Sequence, residues 1–209
     1  MERTTSISEA RKIFGDNFIG GEELSRVAER TGIGAPREIP PIPFSEKYLR
    51  EKGADHFLVL GISRFESGAP LTLMSLRDRF GTDPDKEEPC FYNQDWYAKE
   101  DFANQELEDK WFLVRKSIFE ESRAKEPDAL ARIHTFPSAV LCAYAFFVTW
   151  YVSGEPLWPH DFVWCSDVDH NGDRIYVGRY RDPAGINKNG FNVHRHLRVR
   201  GNYGSVEVF

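Results

Sequence analysis

Between His160 and Asp167 the chain places an imidazole, a thiol, a hydroxyl and a carboxylate close together: His160, Cys165, Ser166 and Asp167. Such a set holds the ingredients of an activated nucleophile, with a carboxylate to orient a histidine base. His194 and His196 are the other histidines that a fold could bring to it. One expectation is therefore a hydrolase or transferase using Cys165 and Asp167 with a histidine. Neither a Gly-x-Ser-x-Gly elbow nor a helix start that would lower a thiol pKa accompanies these residues. Cys165 follows Trp164 in a strand-like run, and a core thiol is the preferred reading. Cys142 sits in an apolar run, which leaves Cys90 as the thiol expected to be accessible.

Two patterns have metal-ligand character. Asp167, Asp169 and Asn171 occupy positions one, three and five of a calcium-loop pattern, with Gly172 at six. Position twelve is Gly178, which has no carboxylate, so a hairpin turn is expected there, built on Asn171-Gly172. His194 and His196 would lie on one face of a strand, because side chains alternate with period two. That pair alone is short of a ligand set, and a metal-binding protein remains a second alternative. No Gly-rich phosphate loop, His-Glu-x-x-His or dinucleotide fingerprint occurs, and no cofactor is expected.

Binding surfaces leave less of a mark. Trp96 and Tyr97 stand among acids and could present aromatics to a partner, although an apolar helix face packed on a sheet explains them better. Residues 22–33 resemble the first helix and turn of a helix-turn-helix reader, but prolines follow where the recognition helix should be. The net charge is −6, and the stretch from Thr82 to Asp109 carries ten acids against Lys86 and Lys99. Nucleic acid is therefore not expected as a partner. The apolar run Ala139 to Val152 is too short for a membrane span, and no membrane partner is expected.

The elements that must position these residues follow from periodicity and caps. Helices are expected over Ile7–Phe14, from Glu22 to Thr31, from Ser45 to Lys52, and from Thr72 to Phe80. Another is expected after Asp95. A strand is expected at His56–Ile62, a short one at Pro89–Tyr92 and a buried one at Lys110–Arg115, before a polar, exposed excursion over Glu120–Pro127. Ser138 should cap a buried helix that Gly154 ends. Two hairpins should close the chain, one around Asn171-Gly172 and one from Leu197 to Val208. The fold class is thus α+β: short N-terminal helices, one buried apolar helix, and a mixed or antiparallel sheet with C-terminal hairpins. Residues 1–209 are expected to form one domain, with 1–33 as a helical extension on the Pro-rich linker 34–44.

Asn17-Phe-Ile-Gly20, Gln94-Asp-Trp-Tyr97, Lys110-Trp-Phe-Leu-Val-Arg-Lys116, Pro137-Ser-Ala139, Cys165-Ser-Asp167 and Ile175-Tyr-Val-Gly178 together resemble a family of uncharacterised bacterial proteins of similar length. That resemblance spans most of the chain, implies a single bacterial domain, and carries no catalytic residue across. Three scattered cysteines and no apolar leader point to the cytoplasm. The expectation is a non-catalytic bacterial protein acting through contacts with a protein or a small ligand.

Overall fold

The computed structural model describes residues 4–82, 88–182, 189–196 and 198–209. Among these the order is β1 (Thr4–Thr5), α1 (Ile7–Phe14), β2 (Phe18–Ile19), α2 (Gly21–Thr31), β3 (Ile42–Ser45), α3 (Glu46–Lys52), β4 (His56–Leu60), α4 (Leu73–Phe80), β5 (Trp111–Arg115), α5 (Pro127–Leu130), α6 (Ala139–Ser153), β6 (Phe162–Val168), β7 (Arg174–Tyr180), β8 (Gly190–Arg195) and β9 (Tyr203–Gly204). The class is α+β. A three-stranded mixed sheet has the order β2-β4-β5, and a four-stranded sheet has the order β8-β7-β6-β9.

Helix α6 lies between these sheets. Ser138 starts it by accepting a hydrogen bond from Leu141 N, and Gly154 ends it in the left-handed conformation. Residues 139–149 are all buried, as expected for a run with no polar face. Its two deep hydroxyls are placed: Tyr144 donates to Leu60 O of β4 and Thr149 to Ala145 O, each at 2.6 Å. Phe147 stacks on Phe80 of α4 with centroids 4.0 Å apart. Phe146 packs on Phe191 of β8 at 5.0 Å, so one helix holds α4 and the four-stranded sheet together. No helix among the described residues is long and apolar enough to cross a membrane.

In β6, β7 and β8 alternate residues face opposite ways. Val163, Cys165, Ile175, Val177, Phe191 and Val193 join the core with α6. Trp164 and Tyr176 point to the other face, where Leu130, Phe136 and Tyr203 pack on them. Asn192 and His194 alternate with Phe191 and Val193, and so share that outer face.

Several expectations are corrected. The helix expected after Asp95 is a series of turns followed by a 3-10 turn at Asp101–Asn104. The strand expected at Pro89–Tyr92 is reduced to one bridge, Phe91 to Phe191. The C-terminal strands do form a sheet of hairpins, but the second antiparallel pair is β7 with β8, ahead of the Leu197–Val208 stretch where it was expected. β9 pairs parallel with β6, and the tail then runs along β5, where Phe209 and Leu113 exchange backbone hydrogen bonds. Within the excursion 120–127, Ser122 is fully buried, and its hydroxyl accepts from Ser205 N at 2.9 Å. Residues 4–33 are part of the core, since β2 pairs with β4 and Leu24 of α2 has no exposed surface. Asp83, Asp85, Lys86, Glu87, Lys188 and Leu197 lie outside the described residues.

Candidate functional site

The nucleophile set does not assemble. Cys165 has no exposed surface, and its thiol lies 3.8 Å from Val163 O, unbridged to Cys142 on α6. Burial, then Cys142, pushes the Cys165 pKa well above the ordinary thiol value. Asp167 is on the same inner side, where its Oδ2 accepts from Ala139 N at 2.6 Å. That bond caps the first turn of α6 from a neighbouring strand. Burial raises the Asp167 pKa, and the Ala139 amide works against the rise. His194 and His196 are on the opposite face of the sheet, and His160 lines a cleft on that outer face. A hydrolase or transferase built on Cys165 and Asp167 with a histidine therefore has no geometry. Cys90, the thiol expected to be accessible, is also buried, with Sγ 3.7 Å from Asn189 O.

The acidic hairpin is a turn, as expected. Gly172 takes φ +85, and Asp169 Oδ1 accepts from the amides of Asn171 and Asp173, each at 2.9 Å. Burial alone would raise the Asp169 pKa, but these amides and Arg195 hold it below the usual value. Asn171 is exposed. Among the described residues, Glu100, Asp169 and His170 bring one ligand atom each within 4.8 Å of the others. Both Glu100 oxygens are taken by His170, at 2.9 Å by its backbone N–H and at 2.7 Å by Nδ1. Asp169 Oδ2 meets Arg195 at 3.2 Å, so protein donors already occupy these acids.

His194 and His196 do share a face, but each is engaged with its neighbours. The ring of His194 stacks on Tyr176, and its Nδ1 accepts from Arg195 N at 3.1 Å. His196 stands edge-on to Trp164, with Nε2 3.5 Å from Glu126. Trp96 and Tyr97 serve the core: Tyr97 is buried, and Trp96 Nε1 donates to Val193 O at 3.1 Å.

Sequence reasoning missed a cleft of about 540 Å³ on the outer face of the four-stranded sheet. Tyr176 and Tyr203 lie at its base, with their hydroxyls hydrogen-bonded 3.0 Å apart. Burial, then that hydrogen bond, raises the Tyr176 pKa, and the charge of Arg200 opposes the rise. Half-buried Phe162, Tyr92 and Tyr180 line the sides, the two tyrosine rings 4.9 Å apart. His160, His194, Arg181 and Arg200 bring nitrogen donors to it.

No carboxylate among the described residues lines the cleft. The exposed side chains of Arg181 and Arg200 have no ion pair or hydrogen bond among the described residues. Arg179 differs, because both oxygens of Glu88 hold its guanidinium, which lies over the Trp150 ring at 5.1 Å. Arg200 acts at the base of the cleft: its charge, after burial and Arg195, lowers the His194 pKa. Three carboxamides complete the lining. Asn202 Nδ2 donates to His160 O at 3.4 Å, whereas Gln94 Oε1 and Asn192 Oδ1 are buried without a hydrogen-bond partner among the described residues.

A second cleft of about 880 Å³ near α1 and α2 also contains cations, Arg11, Arg26 and Lys116. Its charges are compensated. Buried Glu23 pairs with both arginines, and Asp16 and Glu155 line the same space.

The outer cleft was invisible in sequence because its residues come from segments far apart in the chain. The only local signal was Phe191-Asn-Val-His194, a period-two run whose polar members face the cleft. No family model, no curated protein and no solved structure matches this chain.

Proposed function

We propose that this protein binds a small organic anion with a planar group in the outer cleft and performs no chemistry of its own. The observation that carries this reading is that Arg181 and Arg200, whose side chains are unpaired among the described residues, line one cleft to which no described residue brings a carboxylate. The whole chain has a net charge of −6, so such a site runs against its composition. A hydrogen bond to a charged group is worth about 1.5 to 3 kcal/mol, against about 1 for a neutral one. Two guanidinium groups with no partner among the described residues therefore favour an anion over a neutral ligand of the same shape. A volume near 540 Å³ suits a small molecule. The tyrosines and Phe162 offer apolar and ring-stacking surface to its planar part. Three buried cysteines, too few and too scattered for a disulfide framework, support the cytoplasm as the setting.

Calorimetry with benzoate, phenyl phosphate and phenol tests this reading. Both anions should bind more tightly than phenol, and Arg200→Ala should weaken them by about tenfold or more. Phenol binding as well as the anions, or an unchanged affinity in Arg200→Ala, would refute it.

A further inference from the structure

Most donors at the outer cleft are already engaged or are exposed. The hydroxyls of Tyr176 and Tyr203 bond each other, Asn202 Nδ2 donates to His160 O, and Glu88 holds Arg179. His160, Arg181 and Arg200 are exposed, so their side chains must be ordered when a ligand arrives. His194 differs from all of them.

Two contacts fix its ring. It lies against Tyr176 with centroids 5.3 Å apart and planes 9° from parallel, and Nδ1 accepts from Arg195 N at 3.1 Å. The neutral imidazole therefore carries its proton on Nε2, at the ring edge away from the backbone. Nε2 has no hydrogen-bond partner among the described residues and, unlike the buried Nε2 of His56 and of His134, keeps surface open to solvent. Because Phe191 and Val193 of the same strand face the core, that surface is on the cleft side of the sheet. Among the described residues no carboxylate pairs with the ring. The charges acting on it are those of Arg195, itself paired with Asp169, and of Arg200 ahead of β9, while β7 faces it with Tyr176. Burial and these two charges keep the imidazole neutral at pH 7.

We propose that His194 Nε2–H is the fixed donor of the outer cleft and hydrogen-bonds an oxygen of a bound oxyanion, whose charge Arg200 offsets. This rests on the anion-binding reading above and adds to it the residue that orients the ligand. A donor already held in place loses less freedom on binding than an exposed arginine, so His194 determines where the ligand's acceptor oxygen must sit.

Two measurements on the native protein and one variant test this. On saturation with benzoate, ¹⁵N NMR should show the His194 Nε2 resonance shifted and its proton retained. Calorimetry between about pH 7 and 8.5 should give a constant benzoate affinity, because the donor is neutral throughout. His194→Phe keeps a ring to stack on Tyr176 but has no N–H, and should weaken benzoate by about tenfold or more. An unmoved Nε2 resonance, an unchanged affinity in the variant, or an affinity that falls about tenfold per pH unit, as an imidazolium donor would require, overturns the assignment and leaves anion binding standing. If the native protein binds no benzoate, both fall. The two native measurements decide the matter even if the variant does not fold.

Discussion

Tyr176 and His194 face each other across β7 and β8 with ring centroids 5.3 Å apart and planes 9° from parallel, and their Cα atoms are partners in the strand register. The pair forms part of the cleft base, and it forms only because β8 adds to the sheet with Phe191 and Val193 turned toward α6. Burial, then the charges of Arg195 and Arg200, disfavours the imidazolium, while the bond from Arg195 N works against the shift.

Arg200→Ala should therefore raise the His194 pKa, because it removes a nearby positive charge. Proton NMR of the His194 ring checks this. In the native protein the midpoint should lie below 6.5, and in the variant it should be closer to 6.5. An unchanged midpoint would show that Arg200 does not reach the base of the cleft.

Phe146→Ala should be severely destabilising. Its ring is fully buried and contacts Phe147, Trp150 and Phe191. Removing an aromatic side chain from a packed core costs about 3 to 5 kcal/mol. A loss under about 1 kcal/mol in chemical denaturation would contradict the central position of α6.

All three thiols should alkylate slowly in the folded protein and rapidly once it is unfolded. Each is at most 2% exposed, and burial raises the Cys165 pKa, which depletes the reactive thiolate. Site-resolved mass spectrometry after iodoacetamide treatment is the check, and rapid native labelling of Cys165 would revive a thiol nucleophile.

Acid should weaken the fold through His56. Its side chain is buried, Nδ1 lies 3.2 Å from Lys52 O, and burial lowers its pKa to about 4. The unfolded chain, with an ordinary value of 6.5, takes up a proton first as pH falls. The stabilisation is thus complete above pH 6.5 and is lost between 6.5 and about 4, amounting to about 3 kcal/mol at most. Denaturation across that range should show the slope in the native protein and a shallower one in His56→Leu. Equal slopes would rule His56 out as the acid-sensitive group.

Much of the fold could be read locally. Ser6, Ser45, Thr72 and Ser138 each accept a hydrogen bond from an amide in the first turn of the helix they start, and glycines end α2 and α6 as their spacing implied. The hairpin at Asn171-Gly172 formed, but as a longer turn in which Gly172 N donates to Asp169 O and Gly172, not Asn171, takes the positive φ. Long-range pairing decided the rest. The period-two run from Phe191 to His194 is too short to mark where β8 pairs; Gly190, at φ +156, passes so close to Cys90, Phe91 and Tyr92 that a Cβ would meet Tyr92 N at 2.6 Å. The segment around Asp95 has helix-forming spacing, but tertiary contacts won, because Trp96 reaches Val193 O and Tyr97 enters the core. The residues suspected of catalysis were close in sequence, yet alternation along β6 puts Cys165 on the side of the sheet facing away from the histidines. The cleft draws on Gln94, His160, Arg181, Asn192 and Arg200, which no spacing rule links.

The most direct test of the anion site is an amide ¹H–¹⁵N NMR titration of the native protein with phenyl phosphate. Saturable shifts should appear at Tyr176, Asn192, His194 and Tyr203, with an affinity that falls as salt rises, and Arg200→Ala should largely remove them. Shifts centred instead on Arg11, Arg26 and Lys116 in the second cleft, or no saturable shifts at all, would contradict the account.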